Sequence, residues 1–393
     1  MKKPIDPAAG TLAVWAGEED RVRHATQVPV FHSVAFGYRE LDQWLEVAPG
    51  RQPGHIYSRN TNPTVQVFEE KVRRLEGAEA ATSAASGMAV ISAALFGLLK
   101  PGDRVVSVRD TYGGTHQIFT EFLPRFGIQV ALCDTTDHEA IEAEIAGGYT
   151  LLYLESPTNP TCKVVDLARL ASAAKSAGAV CVVDNTFATP INQNPLELGA
   201  DLVLHSATKY LGGHADALGG VICGRGDLIR TIFHFREING AALDPMAAYL
   251  LLRGMKTLHL RVRQQNANAL VVARFLEKHP AVDQVFYPGL ESHPGHGIAR
   301  RQMRGFGGML SFILLDNRLE AVGRFLARLR YAHAAANLGA VETIVGPPAT
   351  TSHVECTAEE RAAMGIPEGL IRYSTGIEDP EDLVADLERA LEA

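Results

Sequence analysis

The stretch Asp201-Leu202-Val203-Leu204-His205-Ser206-Ala207-Thr208-Lys209-Tyr210-Leu211 runs from an apolar segment to a lysine beside two hydroxyls. Consecutive aliphatic residues bounded by polar ones read as a strand buried on both faces, over residues 201–205. Lys209 then lies at the mouth of that strand, on the sheet edge where open α/β folds bind ligands. A lysine there is costly unless its charge is used or removed. A Schiff base with an aldehyde removes it, and Ser206 and Thr208 suit a ligand that carries a phosphate. The segment therefore reads as a lysine placed for pyridoxal phosphate.

Outward from this segment, apolar runs recur at residues 104–108, 151–155, 179–184 and 219–223. Several are continuous rather than alternating, and helical patterns such as 166–177 separate them. That rhythm predicts crossover connections and a mostly parallel sheet. Residues 1–60, rich in Pro, Gly and His, read as an irregular arm, and residues 61–255 as the sheet domain. A long charged helical stretch over 255–279 leads into a smaller C-terminal domain, residues 256–393, with strands at 309–314 and 370–373. Its last helix is announced by Asp379 as N-cap, Pro380 at the first helical position and Asp382 in the first turn.

The chain has 393 residues, 46% hydrophobic and 21% charged, which is enough for a large core and a second domain. A net charge of −8 argues against nucleic acid or an anionic membrane as partner. The longest apolar stretch, 89–99, is too short to span a bilayer. The opening Met1-Lys2-Lys3-Pro4-Ile5-Asp6 has no apolar segment behind its lysines, so a secretory leader is not expected. Cys133, Cys162, Cys181, Cys223 and Cys356 are widely spaced, with no C-x-x-C pair. Neither a metal site nor a disulfide framework is expected, and a reducing cytoplasm fits best.

Other segments carry candidate chemistry, each with an ordinary alternative. Asp184 ends an apolar run; it is either the anion beside a pyridinium nitrogen or a helix N-cap. Ser86-Gly87-Met88 opens a helical pattern, as a phosphate cradle or as a plain turn before a core helix. Tyr112, after the 104–108 strand, either stacks on a planar cofactor or packs in the core. Asn159, in Glu155-Ser156-Pro157-Thr158-Asn159-Pro160, is a donor to a phenolic oxygen or a turn residue. Arg372 is a bidentate clamp for a substrate carboxylate or a solvent-facing strand residue.

Together these motifs, with Tyr57-Ser58-Arg59, Asn62-Pro63-Thr64 and Gly376, resemble the Cys/Met-metabolism (trans-sulfuration) family of pyridoxal-phosphate enzymes over nearly the whole chain. The resemblance implies an aminotransferase-like, fold type I α/β architecture and a homotetramer built from dimers. It makes Lys209 the Schiff-base lysine, Asp184 the pyridinium partner and Tyr112 the stacking residue and candidate acid. Gly87, Met88, Ser206 and Thr208 would hold the phosphate, and Arg372 the substrate α-carboxylate. Tyr57 and Arg59 would reach the cofactor phosphate of the neighbouring subunit. Asn337 is expected among the substrate contacts.

Departures from the family pattern bear on the activity. Cystathionine synthases and lyases usually carry an acid before the Tyr-Ser-Arg motif, where this chain has Ile56. They usually carry Arg where it has Gln117, and Glu-Ser where it has Ala336-Asn337. Polar contacts for a long zwitterionic substrate are thus missing, and a site that cannot pair buried charges should reject them. Methionine γ-lyases usually have Cys at the place of Gly114. Ala336-Asn337-Leu338-Gly339 and Thr350-Thr351-Ser352-His353 look closest to sulfhydrylases. The expected activity is γ-replacement on O-succinyl- or O-acetyl-homoserine with sulfide or a small thiol. The alternatives are a γ-lyase on methionine or cystathionine, a cystathionine γ-synthase, or a non-catalytic cofactor-binding protein. No Gly-x-Ser-x-Gly elbow supports a hydrolase.

Overall fold

A computed structural model describes residues 7–19, 22–354 and 356–392. Seven strands form the large sheet: β1 (Ala80–Ala84), β2 (Arg104–Val108), β3 (Gln129–Cys133), β4 (Leu151–Glu155), β5 (Val180–Asp184), β6 (Leu202–Ser206) and β7 (Gly220–Gly224). Their order is β1-β7-β6-β5-β4-β2-β3. Only β7 runs against its neighbours, β1 and β6; the remaining pairings are parallel. The expected mostly parallel sheet is therefore present.

Both faces of the sheet are covered, which is why its strands are continuous apolar runs. In β4, Leu151 and Tyr153 pack with Val182 and Leu204 under helix Gly87–Leu98. Leu152 and Leu154 point the other way, toward helices His138–Ala146 and Leu167–Ser176. Burying each such leucine contributes about 1.5–3 kcal/mol. Asp166 caps helix Leu167–Ser176 by accepting the N–H of Arg169, as a residue of its type before an apolar-periodic segment should.

The smaller sheet comprises β8 (Val282–Phe286), β9 (Met309–Leu314), β10 (Ala332–Ala334), β11 (Thr343–Gly346) and β12 (Leu370–Ser374), in the order β10-β11-β12-β9-β8. It packs against the 19-residue helix Leu258–Leu276 and the terminal helix Pro380–Leu391. Asp379 precedes that last helix, but its side chain makes no capping bond, contrary to expectation. The segment read as an irregular arm contains two short helices, Ala9–Trp15 and Leu41–Val47. The first is tied down by Lys71, a fully buried lysine that donates to the carbonyls of Ala13 and Val14, each at 3.1 Å, and pairs with Glu18 at 3.0 Å. Among the described residues no helix is long and apolar enough to cross a membrane.

Candidate active site

The carboxyl ends of β4, β5 and β6 open on a cavity of about 230 Å³. Lys209 enters it from a tight turn after β6, where its N–H donates to the Ser206 carbonyl at 3.1 Å. Its Nζ donates to Asn337 Oδ1 at 2.7 Å. Burial, and secondarily the nearby Arg372 guanidinium, lower its pKa to about 8.

Arg372 comes from the small sheet, on β12 between Ser311 of β9 and Gly346 of β11. It is buried, and its guanidinium donates to Asn159 Oδ1 and to the Asn337 carbonyl, each at 3.2 Å. Burial pulls its pKa down to about 10, which still leaves it a cation at neutral pH. Both cations of the cavity are thus held by neutral oxygens.

Two acids close neighbouring strands. Glu155 of β4 and Asp184 of β5 are register partners. Glu155 accepts the N–H groups of Tyr112 and Asn159, each at 2.9 Å. Asp184 Oδ1 accepts from Thr186 N at 2.9 Å, and Oδ2 lies 3.5 Å from the Tyr153 hydroxyl. Burial pushes both carboxyls up; the Asp184 charge adds to the rise at Glu155, while the Thr186 bond opposes it at Asp184.

An anion cradle faces them. Ser86 caps helix Gly87–Leu98 by accepting the Ala89 N–H at 3.1 Å. The first-turn amides of Gly87 and Met88 are left for a ligand. Both residues line the cavity, as do Ser206 and Thr208. A Cβ at Gly87 would come within 2.8 Å of Ser206 Cβ, and one at Gly220 within 2.2 Å of the Ser86 carbonyl. Glycine at both places lets helix and strand close around a small anion.

Lys209, Asp184, Tyr112, Asn159, Gly87, Met88, Ser206, Thr208 and Arg372, each singled out in the sequence, all line this one cavity. Asn337 gives its side-chain oxygen to Lys209 and its carbonyl to Arg372. Tyr57 and Arg59 lie outside the lining. Tyr57 is exposed, the Arg59 guanidinium sits 5.6 Å from its ring centroid, and Arg59 donates to the Glu237 carbonyl. Sequence reasoning passed over two contributors: Glu155, which fixes the backbone of both Tyr112 and Asn159, and Thr186, whose hydroxyl accepts the Ser206 N–H at 2.9 Å. A carboxylate closing an otherwise apolar run was the available signal for Glu155.

Residues 10–392 match the model of the Cys/Met metabolism PLP-dependent enzymes. The chain belongs to that family. Within the family it is 42% identical over 386 residues to the O-succinylhomoserine sulfhydrylase of Pseudomonas aeruginosa, covering 98% of this chain and 96% of that one. It is 43% identical over 384 residues to the cystathionine gamma-lyase of Bacillus subtilis, covering 97% and 98%. Its structure is similar to that of cystathionine gamma synthase from Xanthomonas oryzae pv. oryzae in complex with aminoacrylate and cysteine. The TM-score is 0.93 at 38% identity, over 99% of this chain and 98% of that one. The protein is thus a pyridoxal-phosphate-dependent enzyme of the trans-sulfuration family, with the fold that its motifs implied.

The residues present fit that cofactor. A lysine of depressed pKa, a buried acid and a helix N-terminus with glycine at its first position surround one cavity. These suit an aldehyde, a pyridine nitrogen and a phosphate respectively.

Proposed function

We propose that this enzyme replaces the acyloxy group at the γ-carbon of O-acetyl- or O-succinyl-homoserine with sulfide or a small thiol. The observation that carries this reading is the composition of the cavity wall. Arg372 is the single guanidinium among its described lining residues, and on either side of Asn337 the apolar Ala336 and Leu338 line the cavity. One α-carboxylate is accommodated. A second carboxylate, as cysteine or cystathionine would bring, finds no further guanidinium among these lining residues; the free carboxylate of a succinyl ester is in the same position, so the acetyl ester is the better fit. The relatives divide among several activities at similar identity, so the discrimination falls to these positions. Gly114 weighs against a methionine γ-lyase. A Cβ there would come within 3.0 Å of both Met88 Sδ and Tyr112 Cε1, so the cysteine usual in those enzymes would have to displace its neighbours.

Pyridoxal phosphate supplies an electron sink for the charge left at the substrate α-carbon. Gly87, Met88, Ser206 and Thr208 would hold its phosphate, Asp184 would face its ring nitrogen and Asn159 its phenolic oxygen, and Tyr112 would stack on its ring. Arg372 binds the substrate α-carboxylate with its forked donors. Lys209 would be the residue that bonds the cofactor aldehyde, and its Nζ, when free, would take the α-proton and then a β-proton, a task suited to an amine with pKa about 8. Tyr112 gives a proton to the oxygen that leaves the γ-carbon. The acyloxy group departs from the γ-carbon with the C–O bonding pair, as the carboxylic acid; the thiol sulfur takes its place there and gives its proton back to Tyr112, and the protons taken from the α- and β-carbons are returned to them.

We further read the enzyme as a cytoplasmic homotetramer built from dimers. Residues 1–60 form an arm to the neighbouring subunit, 61–255 the cofactor domain and 256–393 the C-terminal domain. Tyr57 and Arg59 reach the partner's cofactor phosphate, a role that the exposure of Tyr57 supports. The buried thiols of Cys133, Cys162, Cys181 and Cys223 are consistent with a reducing compartment. The test is initial rates with each ester plus sulfide, methanethiol or cysteine. Sulfide or methanethiol should outpace cysteine. A large preference for cysteine, or release of 2-oxobutanoate at the same rate without a nucleophile, overturns the reading.

A further inference from the structure

Asn337 lies 128 residues beyond Lys209 in sequence, yet its side-chain oxygen is 2.7 Å from the lysine Nζ. Lysine Nζ is purely a donor when protonated, so the amide must turn its oxygen to it. The Asn337 carbonyl at the same time accepts from Arg372 Nη2. One residue therefore supplies an oxygen to each of the two cations in the cavity, its side chain to one and its backbone to the other.

The segment carrying Asn337 is held firmly. Gly339, two residues on, has φ +75°, and a Cβ there would come within 2.7 Å of Tyr210 N. Its N–H donates to Ser374 Oγ at 2.8 Å, and the Val341 N–H donates to the Gly213 carbonyl at 2.9 Å. The strand–turn that carries Lys209 and the segment that carries Asn337 are thus pressed backbone to backbone. This contact, rather than the flexible reach of a long side chain, sets where the amine rests.

We propose that Asn337 is a positioning residue that receives the free Lys209 amine on its side-chain oxygen and ties it, through its own carbonyl, to Arg372. The role rests on the reading of Lys209 as the lysine that bonds the cofactor. A neutral amide oxygen accepts an N–H from the ammonium and from the amine alike, so it orients the nitrogen without holding its proton. A carboxylate at the same place would hold the proton. The other charged or titratable groups around Lys209 are Arg372 on β12, Asp184 and Glu155 at the ends of β5 and β4, and Tyr112 after β2; His353 packs beside Arg372. Of these, the Arg372 guanidinium bears on the lysine, and it favours release of the proton.

The test uses the holoenzyme and 2-aminoisobutyrate, which displaces the lysine but has no α-proton to lose. Its binding is followed by visible absorbance from pH 6 to 10 in the parent, Asn337→Asp and Asn337→Ala proteins. Borohydride reduction and peptide mapping first locate the bonded lysine. With the adduct on Lys209, Asn337→Asp should move the pH dependence of binding upward by about one pH unit or more. Asn337→Ala should weaken binding about five- to tenfold, the loss expected for one hydrogen bond. A profile for Asn337→Asp that superimposes on the parent's overturns the proposal, because a purely structural or substrate-contacting Asn337 would not set the proton affinity of Lys209. An adduct on another lysine overturns the Lys209 assignment and the proposal with it.

Discussion

Glu155 and Asp184 stand side by side at the ends of β4 and β5, paired in the same register, yet they serve different partners. Glu155 uses its oxygens on the backbone N–H groups of Tyr112 and Asn159. It thereby pins the loop after β2 to the turn after β4. Asp184 is held by Thr186 and opens to the cavity. A buried pair of acids this close is tolerated because hydrogen bonds to backbone amides offset part of the burial cost.

Glu155→Gln should therefore lower stability by about 1–3 kcal/mol, because an amide NH₂ would face one of two backbone N–H groups and leave it unsatisfied. Cofactor retention should fall with it, since Tyr112 and Asn159 both lose their anchor. Thermal unfolding of holoenzyme and the cofactor dissociation constant check this. An unchanged melting temperature would show that the two N–H groups find other acceptors.

Arg372→Lys keeps the charge but loses the planar fork. The expected result is a fall of about 10- to 100-fold in kcat/KM for the amino-acid substrate, carried mostly by KM, as befits one charge-assisted hydrogen bond. The visible spectrum of the cofactor should change little. Steady-state kinetics of the purified variant decide it.

Acid should destabilise the fold through two buried histidines. Burial holds the imidazoles of His293 and His353 down to a pKa of about 4. Between pH 4 and 6.5 the unfolded chain binds more protons than the native one, so stability is fully present above 6.5 and falls as pH drops to 4. The loss is about 3 kcal/mol per histidine across that window. Melting temperatures of the parent and of His293→Gln between pH 4.5 and 7.5 should show a shallower slope in the variant.

The proposed sharing of active sites between subunits has a complementation test. Arg59→Ala and Lys209→Ala subunits should each be inactive when pure. Mixed by co-expression, they should recover about a quarter of the parental sites, because a heterodimer rebuilds one complete site of its two. No recovery in a demonstrated heterodimer would place Arg59 in its own subunit's chemistry.

The buried strands were legible in the chain, and β2, β4 and β9 fall on the expected residues. Strands covered on both faces must be uniformly apolar, and that pattern needs no knowledge of partners. β1, Ala80-Ala81-Thr82-Ser83-Ala84, escaped notice because small residues give neither an apolar run nor an alternation. Its strand character comes from pairing with β7. β3 and β8, at edges of their sheets and only partly buried, lack the signal for the same reason.

The sequence by itself determined the cofactor, because Lys209, Asp184 and the Ser86-Gly87-Met88 turn, each ambiguous alone, stand in order with the other motifs of the family. It also marked Ala336 and Gly114 as positions where this enzyme differs from its relatives. Only the tertiary structure decided what surrounds the lysine. Asn337, in the loop between β10 and β11, bonds Lys209, and Arg372 on β12 acts on its charge, across separations of more than a hundred residues that no periodicity encodes. The affinity of the lysine for its proton follows from that assembly, since burial and a neighbouring guanidinium arise only when the two sheets meet.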